Sequence, residues 1–250
     1  MPPANQQGIF LLVLNGEDAG FLTTADFPTE TLLTIEFGFT GMSRATYEWI
    51  GESLVRPRSR SGCLISFDYS LKPVYFDLWD SGYINQIVFP ALDVSSNYLL
   101  KLQMAVRIAN LHQEASARHH APKASGHHRR DPLPSFVFQV RTKDRSCFVS
   151  KISALSVPLG PDLAGQFTGS GTDLVLTMGE QMAADFRTWK QMGDARDLAI
   201  DYMDTAFRVI ATLQFKRVTI SHIHPAAPLS PYGITEVAMR FGQVTFNYPA

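Results

Sequence analysis

Cysteine is nearly absent: Cys63 and Cys147 are the two in 250 residues. No CxxC pair or Cys/His zinc spacing surrounds either one, which excludes a zinc ribbon or a dithiol redox motif and leaves two thiols of a reducing compartment. An excess of one sign of charge is missing too. With 22 Lys and Arg against 23 Asp and Glu, the chain has no global field to attract nucleic acid or an anionic membrane. No apolar run approaches the ~20 residues of a membrane-spanning helix. The opening Met1-Pro2-Pro3-Ala4-Asn5 has neither the basic start nor the apolar stretch of a secretory signal, so synthesis and folding in the cytoplasm are expected.

What is present is the composition of an ordinary folded protein, 45% hydrophobic and 18% charged, at a length that suits one large domain or two smaller ones. Residues 111–135 change character, becoming rich in His, Ala, Ser, Arg and Pro without helical or strand periodicity. The expected organisation is a domain over 1–111, a His/Pro-rich linker over 112–134 and a second domain over 135–250.

The two sides of that linker repeat one order of elements. Leu33, Ile35, Phe37 and Phe39 alternate with polar or small residues and predict a half-buried strand. Met42, Ala45, Trp49, Ile50 and Leu54 follow near helical spacing behind Ser43 as N-cap, predicting a helix over 43–54. In the second half, Leu174–Leu176 read as a strand, and Met182, Phe186 and Trp189 recur on one helical face; the Met-to-Trp spacing is seven in both halves. An Asp-Tyr strand comes next in each, over 64–69 and 198–202, then another apolar strand, around 74–79 and 207–213. Pro90 and Pro225 precede closing amphipathic strands. The first runs Leu100, Leu102, Met104, Val106, Ile108; the second changes phase at Gly242, where a bulge restores the facing. A single sandwich whose strands all alternate is the competing reading. The fold class expected is mainly β (α+β): two tandem barrel or sandwich domains, each with one short helix packed on it.

Residues of the first half resemble the tail-tube proteins of contractile-tailed phages and phage-derived contractile injection systems, a fold shared with type VI secretion tube proteins. The resemblance rests on a hairpin with Asn15-Gly16 and Gly20-Phe21, on the helix ending in Trp49-Ile50, and on Ile87-Val88-Phe89-Pro90-Ala91-Leu92-Asp93 before a long strand, of which Phe-Pro-Ala-Leu-Asp is the most specific part. It covers about residues 8–110 well. The second half matches weakly, through element order, Trp189 and the final Phe246-Asn247-Tyr248, and lacks the Phe-Pro-Ala-Leu-Asp sequence.

The resemblance implies a non-catalytic structural subunit without cofactors. It implies self-association into a ring, a trimer of two-domain chains or a hexamer, and contact with other tail-tube or baseplate proteins as tube, adapter or hub. No membrane is involved, nucleic acid at most passes through a channel, and the final location is a virion tail or injection particle.

Several residue groups invite other chemistry. His222 and His224, alternate residues of one strand, can supply two metal ligands, the basis for a metal-dependent β-barrel enzyme. A third ligand is not identifiable, and partly buried, hydrogen-bonded histidines are the expectation. His112, His119, His120, His127 and His128 read as a solvated linker. Arg56-Pro57-Arg58-Ser59-Arg60-Ser61-Gly62 reads as an exposed basic loop able to meet an acidic neighbour. Asp77/Asp80 and Asp201/Asp204, without a nucleophile or metal motif, read as surface residues. Thr168–Thr172 lacks the Gly-Lys-Ser/Thr ending of a phosphate loop. Trp49 and Trp189 read as core anchors of their helices rather than stacking platforms; a pair of carbohydrate- or small-molecule-binding barrels would use such Trp and Tyr residues instead.

Overall fold

Strands dominate the computed structural model, which describes residues 9–115, 134, 137–143, 145–159, 173–225 and 233–248. In chain order these are β1 (Ile9–Leu14), β2 (Glu17–Thr29), β3 (Leu32–Met42), α1 (Arg44–Val55), β4 (Ser59–Phe67), β5 (Pro73–Phe89), β6 (Leu92–Asp93), β7 (Lys101–Ala109) and β8 (His112–Ala115). There follow β9 (Phe138–Thr142), β10 (Ser146–Cys147), β11 (Lys151–Ile152), β12 (Leu155–Pro158), β13 (Leu174–Gly179), α2 (Glu180–Met192), β14 (Arg196–Met203), β15 (Val209–Pro225), β16 (Ile234–Arg240) and β17 (Gln243–Asn247). Two compact units result. Among described residues, 9–88, 101–115 and 157–159 make the first; the remainder, including 89–100, make the second.

The first unit is a closed barrel of six strands, in the pairing order β5-β4-β1-β2-β3-β7 with β7 returning to β5. Asn15 and Gly16, at φ 50° and 83°, give the left-handed pair that a two-residue hairpin between right-twisted strands requires. The alternation read for β3 holds residue by residue: Leu33, Ile35, Phe37 and Phe39 are buried, and so are Leu102, Met104, Val106 and Ile108 of β7. Every one of the six strands has two neighbours, which removes the free edges that make small sheets sticky.

Helix α1 begins where Ser43 predicts, but the Ser43 hydroxyl is buried without a hydrogen-bond partner among the described residues and makes no side-chain cap. The helix is fastened instead by its buried face, Tyr47, Trp49, Ile50 and Leu54, with Tyr47 Oη donating to the Phe39 carbonyl at 2.6 Å.

In the second unit the pairings run β9-β14-β15-β16-β13-β11-β6, with β10 on β9 and β17 on β15. Strand β9 pairs with β14 as β1 does with β4, and β16 lies between β15 and β13 as β7 lies between β5 and β3. The place of the long β2 is taken by two two-residue strands, β10 and β11, with Phe148 exposed between them. At Phe241–Gly242 the closing strand is interrupted into β16 and β17, the irregularity its change of phase predicts.

Three expectations are corrected. Residues 112–115, placed in the linker, form β8 and pair with β5 through Leu78↔His112 and Tyr75↔Ala115. Ser59–Gly62, placed in a basic loop, already belong to β4. The Phe89–Asp93 motif straddles the end of β5 and all of β6, and it is counted with the second unit because Leu92 and Asp93 pair with Ile152 and Lys151.

Candidate assembly surface

The two units superpose in sequence at one constant offset through strand, helix, strand and hairpin. In that frame Met42 matches Met178, Arg44 matches Glu180, Arg60 matches Arg196, and Asp68 matches Asp204. The two tryptophans are not equivalent in it: Trp49 falls opposite Asp185, and Trp189 opposite Ser53, about one helical turn later. Both are buried anchors all the same. Each indole N–H donates to the turn after its helix, Trp49 to the Arg58 carbonyl at 2.9 Å and Trp189 to the Asp194 carbonyl at 2.8 Å. Arg58 and Asp194 are matched positions.

The same frame pairs two hairpins. Between β4 and β5, the Asp68 carbonyl accepts from Leu71 N–H at 3.0 Å while Asp68 N–H donates to the Lys72 carbonyl at 2.9 Å. Asp68 Oδ1 accepts from the N–H groups of Ser70 and Lys72 at 2.8 and 2.9 Å. Between β14 and β15 the pattern recurs. The Asp204 carbonyl accepts from Phe207 N–H at 2.9 Å, its N–H donates to the Arg208 carbonyl at 3.0 Å, and its Oδ1 accepts from Ala206 and Arg208 N–H, each at 2.9 Å. Those bonds, the Arg208 N–H foremost, hold the Asp204 carboxyl below the usual carboxylate range.

This is a three-residue hairpin closed by a residue in the left-handed region, a place that glycine fills without steric cost. Here it holds Leu71 at φ 59° and Phe207 at φ 60°. A side chain in that conformation costs about 1–2 kcal/mol. Neither side chain recovers the cost by burial: Leu71 is 63% exposed and Phe207 74%, and Tyr69 beside Leu71 is wholly in solvent.

Other candidates fall elsewhere. Asp77 and Asp201, read as surface residues, are buried at 5% and 1% exposure. Both lie inside strands that periodicity places, and the cause is lateral pairing: β8 covers Asp77 with Gln113, while β9 and β15 cover Asp201 with Arg141 and Thr212. Asp77 accepts from Gln113 Nε2 at 2.8 Å, and burial raises its carboxyl above the ordinary range. Asp201 takes a fork from the Arg141 guanidinium and a hydrogen bond from Thr212 Oγ1 at 2.7 Å. Asp80 is exposed and accepts from Asn110 Nδ2 at 3.1 Å. Asp204 is the hairpin residue already described.

His222 and His224 stand near the end of β15, both exposed rather than partly buried, because only one face of that end is covered. His224 Nε2 lies 3.1 Å from Glu236 Oε2. Among the described residues no three His, Cys, Asp or Glu side chains are placed to hold a metal ion. Of the linker histidines, His112 is in β8, while His119, His120, His127 and His128 lie outside the described residues, as does Thr168–Thr172. Arg60 and Arg58 turn back onto Glu52 of α1, at 2.9 and 3.9 Å, which partly neutralises the basic segment. Burial pushes the Cys63 thiol up to about 12, with the Asp77 and Glu114 carboxylates adding to it; the Cys147 thiol is raised by burial as well.

The second unit also carries a groove of about 980 Å³ between α2 and the β9–β10 end of the sheet. Two of its charge pairs are internal, Arg145 with Asp185 at 2.9 Å and Arg196 with Asp194 at 3.0 Å. Sequence reasoning missed both this groove and the paired hairpins. The signal for the hairpins was an Asp followed three residues on by an apolar residue and then a basic one, a pattern that any loop can show. Among the described residues no helix is long and apolar enough to cross a membrane.

No protein-family model and no curated protein matches the chain. Sixteen chains of solved structures do. They include a type VI secretion system effector from Yersinia pestis, 12% identical over 44% of this chain and 88% of that one, with a TM-score of 0.32. The anti-feeding prophage cap, described as a tube-terminating cap, is 12% identical over 52% of this chain and 100% of its own, with a TM-score of 0.39. The Hcp1 protein of E. coli EAEC 042 is 9% identical over 44% of this chain and 87% of its own, at 0.31. Each of these matches spans about half of this chain's length.

Proposed function

We propose that this protein is a non-catalytic structural subunit of a phage tail or contractile injection-type particle, and that it assembles with itself into a ring. Each chain supplies two tail-tube-like domains, the second a diverged duplicate of the first, so three chains complete a ring of six domains. Closed point-group symmetry of that kind is the ordinary outcome when one contact repeats around an axis.

The observation that carries the reading is the repeated strand-pairing order on either side of residues 112–134, with the same hairpin at the same offset in each half. A duplicated barrel is a way to build one ring from fewer chains, and divergence between the halves suits a subunit that meets two different neighbours. An adapter, a hub or a tube-terminating position, the role named for the anti-feeding prophage cap, therefore fits better than a uniform tube of one domain. Other tube or baseplate proteins are its expected neighbours.

Mass measurement of the purified full chain tests this. The expected result is a species of three or six chains of 27.8 kDa, with class averages from electron micrographs showing a ring around a central channel. Single chains at high concentration, both alone and mixed with purified tube proteins, would sink the reading.

A further inference from the structure

We propose that the two hairpin tips, Tyr69 with Leu71 and Phe207 alone, are apolar knobs by which this chain docks onto a second copy of itself. The proposal rests on the ring-forming reading above and names the contact that reading requires.

Three observations converge on the tips. Leu71 and Phe207 occupy the left-handed position of their hairpins, where glycine or asparagine sits more easily. Both side chains stand in solvent, so the strain is not offset by packing within the fold. And the arrangement occurs twice with altered residues but unaltered chemistry: an aspartate that ties the turn, an apolar side chain in the left-handed position, then a base, Lys72 or Arg208. One such tip is an accident that any loop can carry. Two at matched positions, each expensive to the isolated chain, indicate that both side chains are used elsewhere.

The geometry also selects the occupant. Arg208 is held by its own Asp204 through Nε at 2.8 Å and Nη2 at 2.7 Å, so the chemistry that the second tip offers outward is the Phe207 ring rather than a charge. The first tip offers Tyr69 and Leu71, aromatic and aliphatic surface, beside the exposed Lys72. Such a tip needs a shallow apolar socket and buries little area, so it acts in numbers rather than singly. A foreign partner bound once per chain needs one knob. A ring of identical chains, in which each domain meets the next in the same way, needs one knob per domain, and that is what the chain has.

Sedimentation velocity of the full chain over a concentration series, beside two double variants, decides the matter. The first variant combines Leu71→Gly with Phe207→Gly; the second combines Leu71→Asn with Phe207→Asn, which keeps a side chain that tolerates the left-handed region. Both are expected to fold, with Tm equal to or above the parent because strain is relieved. Both are expected to need at least tenfold more protein to assemble.

Variants that assemble at the parent's concentration overturn the knob proposal while leaving the ring reading intact. A parent that stays a single chain at every concentration overturns both. A parent that associates only when a purified tube protein is added overturns the choice of a second copy as occupant.

Discussion

The indole N–H of Trp49 donates to the backbone carbonyl of Arg58 at 2.9 Å, nine residues further along the chain and beyond the end of α1. In the second unit Trp189 reaches the matched carbonyl of Asp194 from a helix turn closer to it, and the Arg196 guanidinium stacks 5.3 Å above its ring. Two different routes thus reach matched backbone acceptors at the point where helix returns to sheet. Trp49→Phe and Trp189→Phe keep most of the apolar area and remove the donor. Each is expected to lower stability by about 1–3 kcal/mol, read as a fall in the urea midpoint without a change in slope.

Among the described ion pairs of the second unit, Arg141–Asp201 has the most deeply buried carboxylate. Asp201 is buried, and its carboxylate is held by the Arg141 guanidinium and the Thr212 hydroxyl. Arg141→Met keeps the side-chain stem and leaves the carboxylate without its countercharge. Because the guanidinium is itself about half exposed, the cost falls below that of a fully buried pair, about 2–3 kcal/mol. Pairing Arg141→Met with Asp201→Asn should return part of that loss. Denaturant titration of the two single variants and the double variant measures the coupling; strict additivity would contradict it.

How far the sequence disclosed this fold is clearest from these residues. Alternation placed β3 and β7 correctly because each strand has one face in the barrel and one outside, the condition under which period two is visible. It stopped β5 and β15 short, since long strands that pass from one pairing partner to another bury both faces in part. The duplication was legible in element order but not in register. Matching conspicuous residues, Met42 with Met182 and Asp68-Tyr69 with Asp201-Tyr202, gives a different offset each time. The structure's single offset pairs some identical residues, such as Asp68 with Asp204, beside others that share only a role, such as Leu71 with Phe207. Asp201 and Asp77 looked like surface residues because a carboxylate announces its charge in a sequence but not its partner.

Trp79 lies flat against two backbone gaps in the first barrel. A Cβ built at Gly62 would come within 2.2 Å of the Trp79 ring, and one at Gly82 within 2.8 Å. Gly62 faces Trp79 directly across the β4–β5 ladder, so a glycine is required by the close approach rather than by any special φ. Gly62→Ala is expected to displace the indole and to cost about 2–3 kcal/mol, within the range for overpacked cores. Combining it with Trp79→Phe should restore part of the loss by making room for the methyl. Thermal unfolding of the single and double variants tests this, and a double variant less stable than either single one would refute it.

Asp77 makes stability depend on pH in a direction opposite to that of a salt-bridged carboxylate. Burial raises its folded carboxyl above the ordinary value, and the Gln113 amide offsets this only in part. The folded state therefore holds its proton more tightly than the unfolded state does. The penalty for ionising Asp77 is absent below the ordinary carboxylate range, grows as pH rises through the interval up to the raised value, and is complete above it. Asp77→Asn retains an oxygen that can accept from Gln113 and abolishes the ionisation. The variant should melt at a higher temperature than the parent at pH 7.5, and the difference should shrink as pH falls through that interval and vanish near pH 3. A Tm difference that stays constant across the series would mean that the aspartate is solvated and that its burial has no electrostatic consequence. A difference that widens toward acid would mean that a cation, not desolvation, governs Asp77.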